Sequence, residues 1–396
     1  MKILIAADLF PPVINGVSTF SRNLAAGMAA RGHEVVVIAP SQTGKKHTEQ
    51  VDGYTIERTA SLVFPLYQKL RVSTTPGREV NKIITHFAPD VIHIQMIFAI
   101  GHSVLQAGQK KKIPIVSTNH AVPDNVIENI RLLAPLSRPI SSMLEHYAKR
   151  FHSNAQYITA PTKSAITMFK DKYAKIRVPV KVVSNGIDLS VFHPGEVSKN
   201  ILHKYDIPSD RPVLLYVGRL DGEKHLPVFL SAVHRILAHR PVHAVLVGHG
   251  VEEAALQVLA SKLGIEKKVT FTGRVSFEDL VQLYRVGTIF CMPSPAELQS
   301  IATLEAMASG LPVVSVNEGA LPELCQDGKN GYLFRYDNDE MMAVAIEKIL
   351  KTPGLQQRMG QVSIEIAKKH DIHQTLEAFE TIYESLLPKE KKDSSR

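Results

Sequence analysis

Four residues stand out for the chemistry that their types and spacing permit: Glu297 and Glu305, eight positions apart, and Arg219 and Lys224, five apart. Two carboxylates at that offset can hold different hydroxyl groups of one extended ligand. On a single continuous helix they would lie ~12 Å apart along the axis. Glu297 follows the strand-like run Thr288–Met292, and Glu305 falls in a helix expected to start near Ser300. Gln299, Ser300 and Ile301 then sit where the first helical N–H groups lack intrahelical partners. A plainer reading makes Glu297 a dipole-favoured acid and Glu305 a surface residue. The neighbours of Glu305 (Leu304, Ala306, Met307 and Ala308) argue instead for a buried acid with a partner.

Arg219 and Lys224 lie in YVGRLDGEKHL, just after a strand and before a helix. Two fixed cations there suit a diphosphate, although Asp221 and Glu223 beside them make a plain pair of solvated charges a credible reading as well. Gly16, in the loop INGVS ahead of an amphipathic helix, would let backbone N–H groups approach an anion; an ordinary turn explains it equally. LVGHG around Gly248, and FTGRV with Arg274 and Val275, are further strand ends whose glycines permit close backbone approach. Asp337-Asn338-Asp339 resembles a metal-binding Asp-x-Asp, but it precedes a helix. Asp339 reads better as an N-cap, and no essential metal is expected.

These loops need a scaffold. Short β-branched runs alternate with amphipathic stretches, from Lys2–Ala7 through Glu34–Ala39, Tyr54–Arg58, Val91–Gln95, Ile113–Thr118, Gln156–Ala160 and Lys181–Ser184. The alternation resumes with Val213–Val217, His243–Val247, Val269–Thr272, Ile289–Met292, Val313–Val316 and Tyr332–Phe334. Such runs mark parallel sheets buried on both faces. The expected fold is α/β: two tandem Rossmann-like, doubly wound domains facing each other across a cleft. Their expected bounds are 1–188 and 197–372, with a helix over 373–388 and a charged tail over 389–396.

A chain of 396 residues suits two domains. It has two cysteines and no apolar run long enough to span a bilayer, and it opens on strand-like KILIAA rather than a signal-peptide pattern. A cytoplasmic location is the expectation. The net charge of +8 is unevenly placed: residues 1–188 hold 23 Lys and Arg against 12 Asp and Glu, a balance of +11. That half should meet something acidic, or else simply spread its charge over a solvated surface. Within it, Arg131–Arg150 interleaves Leu132, Leu133, Leu136, Ile140, Met143 and Leu144 with Arg131, Arg138, Lys149 and Arg150. This pattern fits a helix lying in an anionic interface, or one packed on its own sheet with a charged outer face.

Taken in order, FPPVINGVSTFSRNL, TNHAVPDN, SNGIDLSVFHP, VGRLDGEKHL and Glu297-x7-Glu305 with AMASGLPVV resemble the retaining family-4 glycosyltransferases of B-type fold. The resemblance implies that Glu297 contacts the donor sugar, Glu305 the ribose, and Arg219 and Lys224 the diphosphate, helped by backbone at Gly16. Gly248, Arg274 and Val275 would lie against the base, with Gln299, Ser300 and Ile301 also at the donor. His120 would face the anomeric region of the sugar; otherwise it is a buried histidine bonded to backbone. The helix over 373–388 would cross back onto the first domain, which would bind the acceptor. Glu297-Leu298-Gln299-Ser300 departs from the family's usual Glu-Ser/Gly-Phe-Gly and looks most like diacylglycerol glucosyltransferases. His120-Ala121-Val122-Pro123 departs from the aromatic pattern of that branch.

The expected activity is transfer of glucose from UDP-glucose, with no cofactor beyond the donor, to a lipid such as 1,2-diacylglycerol. The enzyme would work peripherally on the inner face of the cell membrane, without nucleic-acid partners. The alternatives are a mannosyl- or glucosyltransferase with a soluble, inositol-lipid or polyprenyl acceptor, a sugar-nucleotide epimerase of the same fold, and a catalytically silent binding module.

Overall fold

A computed structural model describes residues 1–13, 15–64, 71–74, 76–120, 137–172 and 177–388. The expectations placed on 121–136, and on the tail 389–396, lie outside these residues. The chain divides into two compact units, Asn185–Gln374 and the remainder on either side of it.

The strands of the first unit are β1 (Lys2–Ala6), β2 (Glu34–Pro40), β3 (His47–Val51), β4 (Tyr54–Thr59), the short pair β5 (Ser61–Val63) and β6 (Arg71–Ser73), β7 (Val91–Ile94), β8 (Ile115–Thr118), β9 (Tyr157–Ala160) and β10 (Val180–Val182). Eight of them form one sheet in the order β10-β9-β8-β7-β1-β2-β4-β3. Every pairing is parallel except β3 with β4. Ile3, Leu4, Ile5, Ile92 and Ile115 are fully buried, which is why these runs carry no alternation of polar and apolar residues. Strand β3 escaped that criterion because HTEQV is polar and mostly exposed at a sheet edge. Its signal was the two-residue turn Asp52-Gly53, both residues at positive φ, which closes a hairpin.

Helix Ile372–Leu386 completes the first unit. Phe379 packs its ring 5.8 Å from Phe20 and 5.0 Å from His93. Glu380 takes Arg31 and His33 as ion-pair partners. The buried Tyr383 hydroxyl lies 2.6 Å from His93 Nδ1, and His93 Nε2 lies 2.6 Å from the Thr118 hydroxyl. This chain of polar groups ties the last helix to β7 and β8 with its members satisfied.

The second unit holds β11 (Val213–Val217), β12 (His243–Val247), β13 (Val269–Gly273), β14 (Ile289–Met292), β15 (Val313–Val316) and β16 (Gly331–Phe334). They form an all-parallel sheet in the order β13-β12-β11-β14-β15-β16. Both units are therefore Rossmann-like α/β. In each, strand order reverses once, between β1 and β7 in the first and between β11 and β14 in the second. Loops leaving the carboxyl ends of those neighbours diverge to opposite faces and open a crevice. One detail departs from expectation: the cap of helix Asp339–Lys351 is Asn338, whose side chain accepts from Met341 N at 2.8 Å. Asp339 lies inside the first turn and pairs with Arg235.

Burial sets the acid response of the first unit. It pushes His93 well below its ordinary value of 6.5, His152 down to about 4 and His120 down to about 3. The unfolded chain protonates all three near 6.5 while the folded one does not, so stability is lost as pH falls below that point. Asp8 acts in the opposite sense, because burial raises it to about 6 and the folded state protonates it first. The three histidines outweigh the one acid. Urea unfolding should give a lower free energy at pH 5 than at pH 7, changing by ~1.4 kcal/mol per pH unit for each net proton. A stability that rises on acidification would contradict this assignment.

Candidate functional site

The crevice of the second unit gathers most of the singled-out residues. Beyond β11 the chain passes Gly218 and Arg219, makes a single turn at Gly222–Lys224, and enters helix Leu226–Leu237. Arg219 does not stand free. Its guanidinium donates to Asp221 at 2.5 Å and also to Glu223, which fixes the side chain between two buried acids. Lys224 Nζ lies 2.7 Å from Glu297 Oε1 and 3.5 Å from the Ser294 hydroxyl. Two residues 73 positions apart in the chain thus form one ion pair, because β11 and β14 are neighbours at the reversal of strand order. Both side chains are mostly buried, at 15% and 14% exposure, so the pair is shielded but reachable.

Glu297 lies in the loop after β14, before helix Ile301–Ala308, and so shares no continuous helix with Glu305. Its backbone carbonyl accepts from Ala320 N at 3.0 Å. Gly319, at φ +58°, brings the next loop so close that an added Cβ would lie 2.8 Å from that carbonyl. Ser300 caps the helix by accepting from Thr303 N at 3.2 Å, which leaves the N–H of Ile301 at an open helix start. Gln299 is buried, and its side-chain oxygen accepts from Asn185 N at 2.7 Å. The Gln299 side chain is thus used to tie two loops of the unit together.

Glu305 is buried and has a partner that sequence reading missed. The Tyr284 hydroxyl donates to Glu305 Oε2 at 2.6 Å. Burial pushes the Tyr284 phenol well above its ordinary value, and the adjacent carboxylate adds to that, so the tyrosine remains a donor. Nothing in the spacing of Tyr284 and Glu305 announced this contact; it depends on helix Phe277–Val286 lying beside helix Ile301–Ala308.

Gly248 ends β12 at φ +140°, where an added Cβ would stand 1.9 Å from the Gly218 carbonyl oxygen. Its N–H donates to Gly273 O at 3.1 Å, which draws the ends of β11, β12 and β13 together. Arg274 and Val275 follow directly, Arg274 exposed and Val275 half-buried.

Two singled-out residues belong to the first unit. Gly16 begins helix Gly16–Ala30, capped by the Asn15 side chain, which accepts from Ser18 N at 2.8 Å. His120 follows β8, and its ring packs at a tilt 4.9 Å from the Phe20 ring of that helix. Its partner is a side chain rather than backbone: Nε2 lies 2.9 Å from Gln95 Oε1. Burial drives its pKa down to about 3, so the imidazole is neutral at physiological pH.

Comparison with known proteins identifies the family and the fold of the chain. Residues 14–191 match the family described as Glycosyltransferase Family 4, and residues 197–366 match Glycosyl transferases group 1. An alpha-monoglucosyldiacylglycerol synthase of Streptococcus pneumoniae is 25% identical over 362 residues, covering 90% of this chain and 80% of that one. A D-inositol 3-phosphate glycosyltransferase of Corynebacterium jeikeium is 30% identical over 290 residues, covering 70% and 68% respectively. Among solved structures, a sucrose-phosphate synthase of Thermosynechococcus elongatus superposes with a TM-score of 0.79 over 98% of this chain and 99% of its own, at 18% identity.

The Tyr284 contact supplies a direct test of how Glu305 is held. Tyr284→Phe removes one buried hydrogen bond to a carboxylate without changing the shape of the core. Its unfolding free energy should fall by ~1–3 kcal/mol in urea titration. An unchanged value would mean that Glu305 does not depend on this hydroxyl.

Proposed function

The chain belongs to glycosyltransferase family 4, and we propose that it is a retaining hexosyltransferase that moves glucose from UDP-glucose onto a lipid acceptor such as 1,2-diacylglycerol. The observation that carries the reading is the Lys224–Glu297 pair at the strand reversal of the second unit. A cation and an acid held together there match the two ends of a sugar diphosphate. When donor binds, Lys224 would exchange Glu297 for a phosphate oxygen, and Glu297 would turn to the sugar hydroxyls. Arg219, already oriented by Asp221 and Glu223, would donate to the same diphosphate. Glu305 would take the ribose, Gly248, Arg274 and Val275 would lie along the base, and the N–H of Ile301 would add a further donor.

The second unit would therefore bind the donor and the first the acceptor. In the transfer step the acceptor oxygen bonds to the anomeric carbon on the face from which the diphosphate leaves. The C1–O bond breaks with its electron pair going to the phosphate oxygen, and that oxygen takes the acceptor's proton. The protein contributes position and positive charge rather than a nucleophile. His120, neutral in this setting, would meet a hydroxyl of the transferred sugar rather than shuttle a proton.

The lipid acceptor is supported by the first unit's charge and by the likeness to the pneumococcal alpha-monoglucosyldiacylglycerol synthase. Helix Ser137–His152 buries Ala148, Phe151 and His152 and exposes Met143, His146 and Arg150. It thus packs on its own sheet while presenting a cationic, partly apolar outer side. No helix among the described residues is long and apolar enough to cross a membrane. Contact with an anionic surface would be peripheral and electrostatic. Lys110 and Lys111 end helix Ala99–Lys111, where they also complement its dipole. The corynebacterial relative favours a second reading, hexosyl transfer to a phosphorylated polyol.

Two measurements decide between these. UDP-glucose, UDP-galactose and GDP-mannose should be offered against diacylglycerol, inositol phosphate and soluble sugars, with the product's anomeric configuration read by NMR. An α-glucosyl lipid is expected; transfer only to a soluble acceptor would overturn the lipid assignment. Lys224→Ala and Glu297→Gln should each lower kcat/KM by ~10²–10³-fold, and turnover within a few-fold of wild type would refute their roles. Sedimentation with anionic vesicles should show binding that salt abolishes.

A further inference from the structure

Gln95 was not among the residues singled out by spacing, yet the first unit's crevice is built around it. It directly follows β7, at the reversal of strand order, and its N–H donates to Ala6 O at 2.9 Å. The side chain is fully buried. Its amide oxygen lies 2.9 Å from His120 Nε2, while its amide nitrogen Nε2 is buried without a partner among the described residues. A buried amide with one end used and the other unfilled costs stability, and such a group points to a ligand or an ordered water.

The direction of the hydrogen bond follows from the chemistry of the two groups. An amide oxygen only accepts, so His120 Nε2 must carry the proton. In a neutral imidazole the other nitrogen, Nδ1, is then an acceptor with an in-plane lone pair. Phe20 packs against the ring at 4.9 Å and limits its rotation. The remaining titratable neighbour is His93, itself neutral and engaged by Tyr383 and Thr118. No described residue takes up His120 Nδ1.

We propose that Gln95 is a positioning residue that locks His120 in the Nε2–H tautomer, so that His120 Nδ1 accepts from a donor-sugar hydroxyl while the Gln95 amide nitrogen donates to an oxygen of the same sugar. This deepens the proposed hexosyl transfer and rests on it. The pair, one acceptor and one donor, selects a hydroxyl-bearing sugar carbon. A sugar lacking that hydroxyl leaves the His120 nitrogen unfilled, which is a stronger penalty than a lost apolar contact.

The first test needs no variant. Nitrogen-15 NMR of histidine-labelled full-length protein should show His120, assigned through its loss in His120→Gln, as the Nε2–H tautomer. A protonated Nδ1 in the wild type overturns the proposal whether or not the chain transfers hexose. The second test uses UDP-glucose and its singly deoxygenated analogues. Gln95→Leu should mix the tautomers and lower kcat/KM ~10–100-fold, and it should erase the wild-type penalty against one particular deoxy analogue. Gln95→Glu keeps an accepting oxygen and so keeps the Nε2–H. It should restore much of the activity near pH 8 but lose it on acidification, because the carboxylate favours a second proton on Nδ1. If Gln95→Leu matches wild type in tautomer, pH profile and analogue preference, Gln95 does not position His120. If instead His120→Gln leaves UDP-glucose turnover unchanged while the tautomer is as expected, the assignment of His120 to the sugar fails and this inference falls with it.

Discussion

Parallel strands send all their connections to the same two edges of a sheet, and only where strand order reverses do adjacent loops part to leave room for a ligand. That constraint organises both units here. In the second, the loops after β11 and β14 separate on opposite faces and meet where Lys224 and Glu223 reach Ser294 and Glu297. In the first, the loops after β1 and β7 do the same around Asn15-Gly16 and Gln95. The strand cores are among the most buried segments of the chain, and that rigidity lets short loops hold charged groups at defined separations.

The two loop cations of the second unit are already paired before any ligand arrives. Arg219 is bound by Asp221 and Glu223, and Lys224 by Glu297, so two cations face three acids. A mostly buried lysine without a counter-ion would be expensive, and the acid that removes this cost is the one proposed to receive the sugar. In the proposed function, binding of a diphosphate would be an exchange of partners rather than a simple attraction. Tyr284 stands against Glu305 for a related reason: a buried carboxylate needs a hydrogen-bond donor, and the phenol supplies one.

Polar chemistry in the first unit is of another kind. His93, His120 and His152 are all driven neutral by burial, and their partners are hydroxyl or amide groups rather than charges. Neutral imidazoles hold geometry through tautomer and hydrogen bond, which suits recognition of sugar hydroxyl groups better than proton transfer at physiological pH. Helix Ile372–Leu386 is part of this arrangement, since Tyr383 supplies the outer partner of His93 and Phe379 the wall against Phe20.

The α/β alternation, most strand positions and the residue types of the candidate site were legible in the chain. Buried parallel strands write themselves as unbroken β-branched runs, and an acid set among small apolar residues declares that it needs a partner. The exposed strand β3 was not legible by hydropathy, because an edge strand buries too little to leave a periodic trace. Contacts between distant segments were likewise beyond reach. That Lys224 meets Glu297, that Tyr284 holds Glu305, and that His120 rests on Gln95 rather than backbone all follow from how remote strands and helices pack. Sequence alone determined which chemical groups are present and which local structures carry them, because those depend on neighbours along the chain. Tertiary structure alone decided which group faces which, and hence the protonation and tautomer of each, because burial and pairing arise only when remote segments pack together.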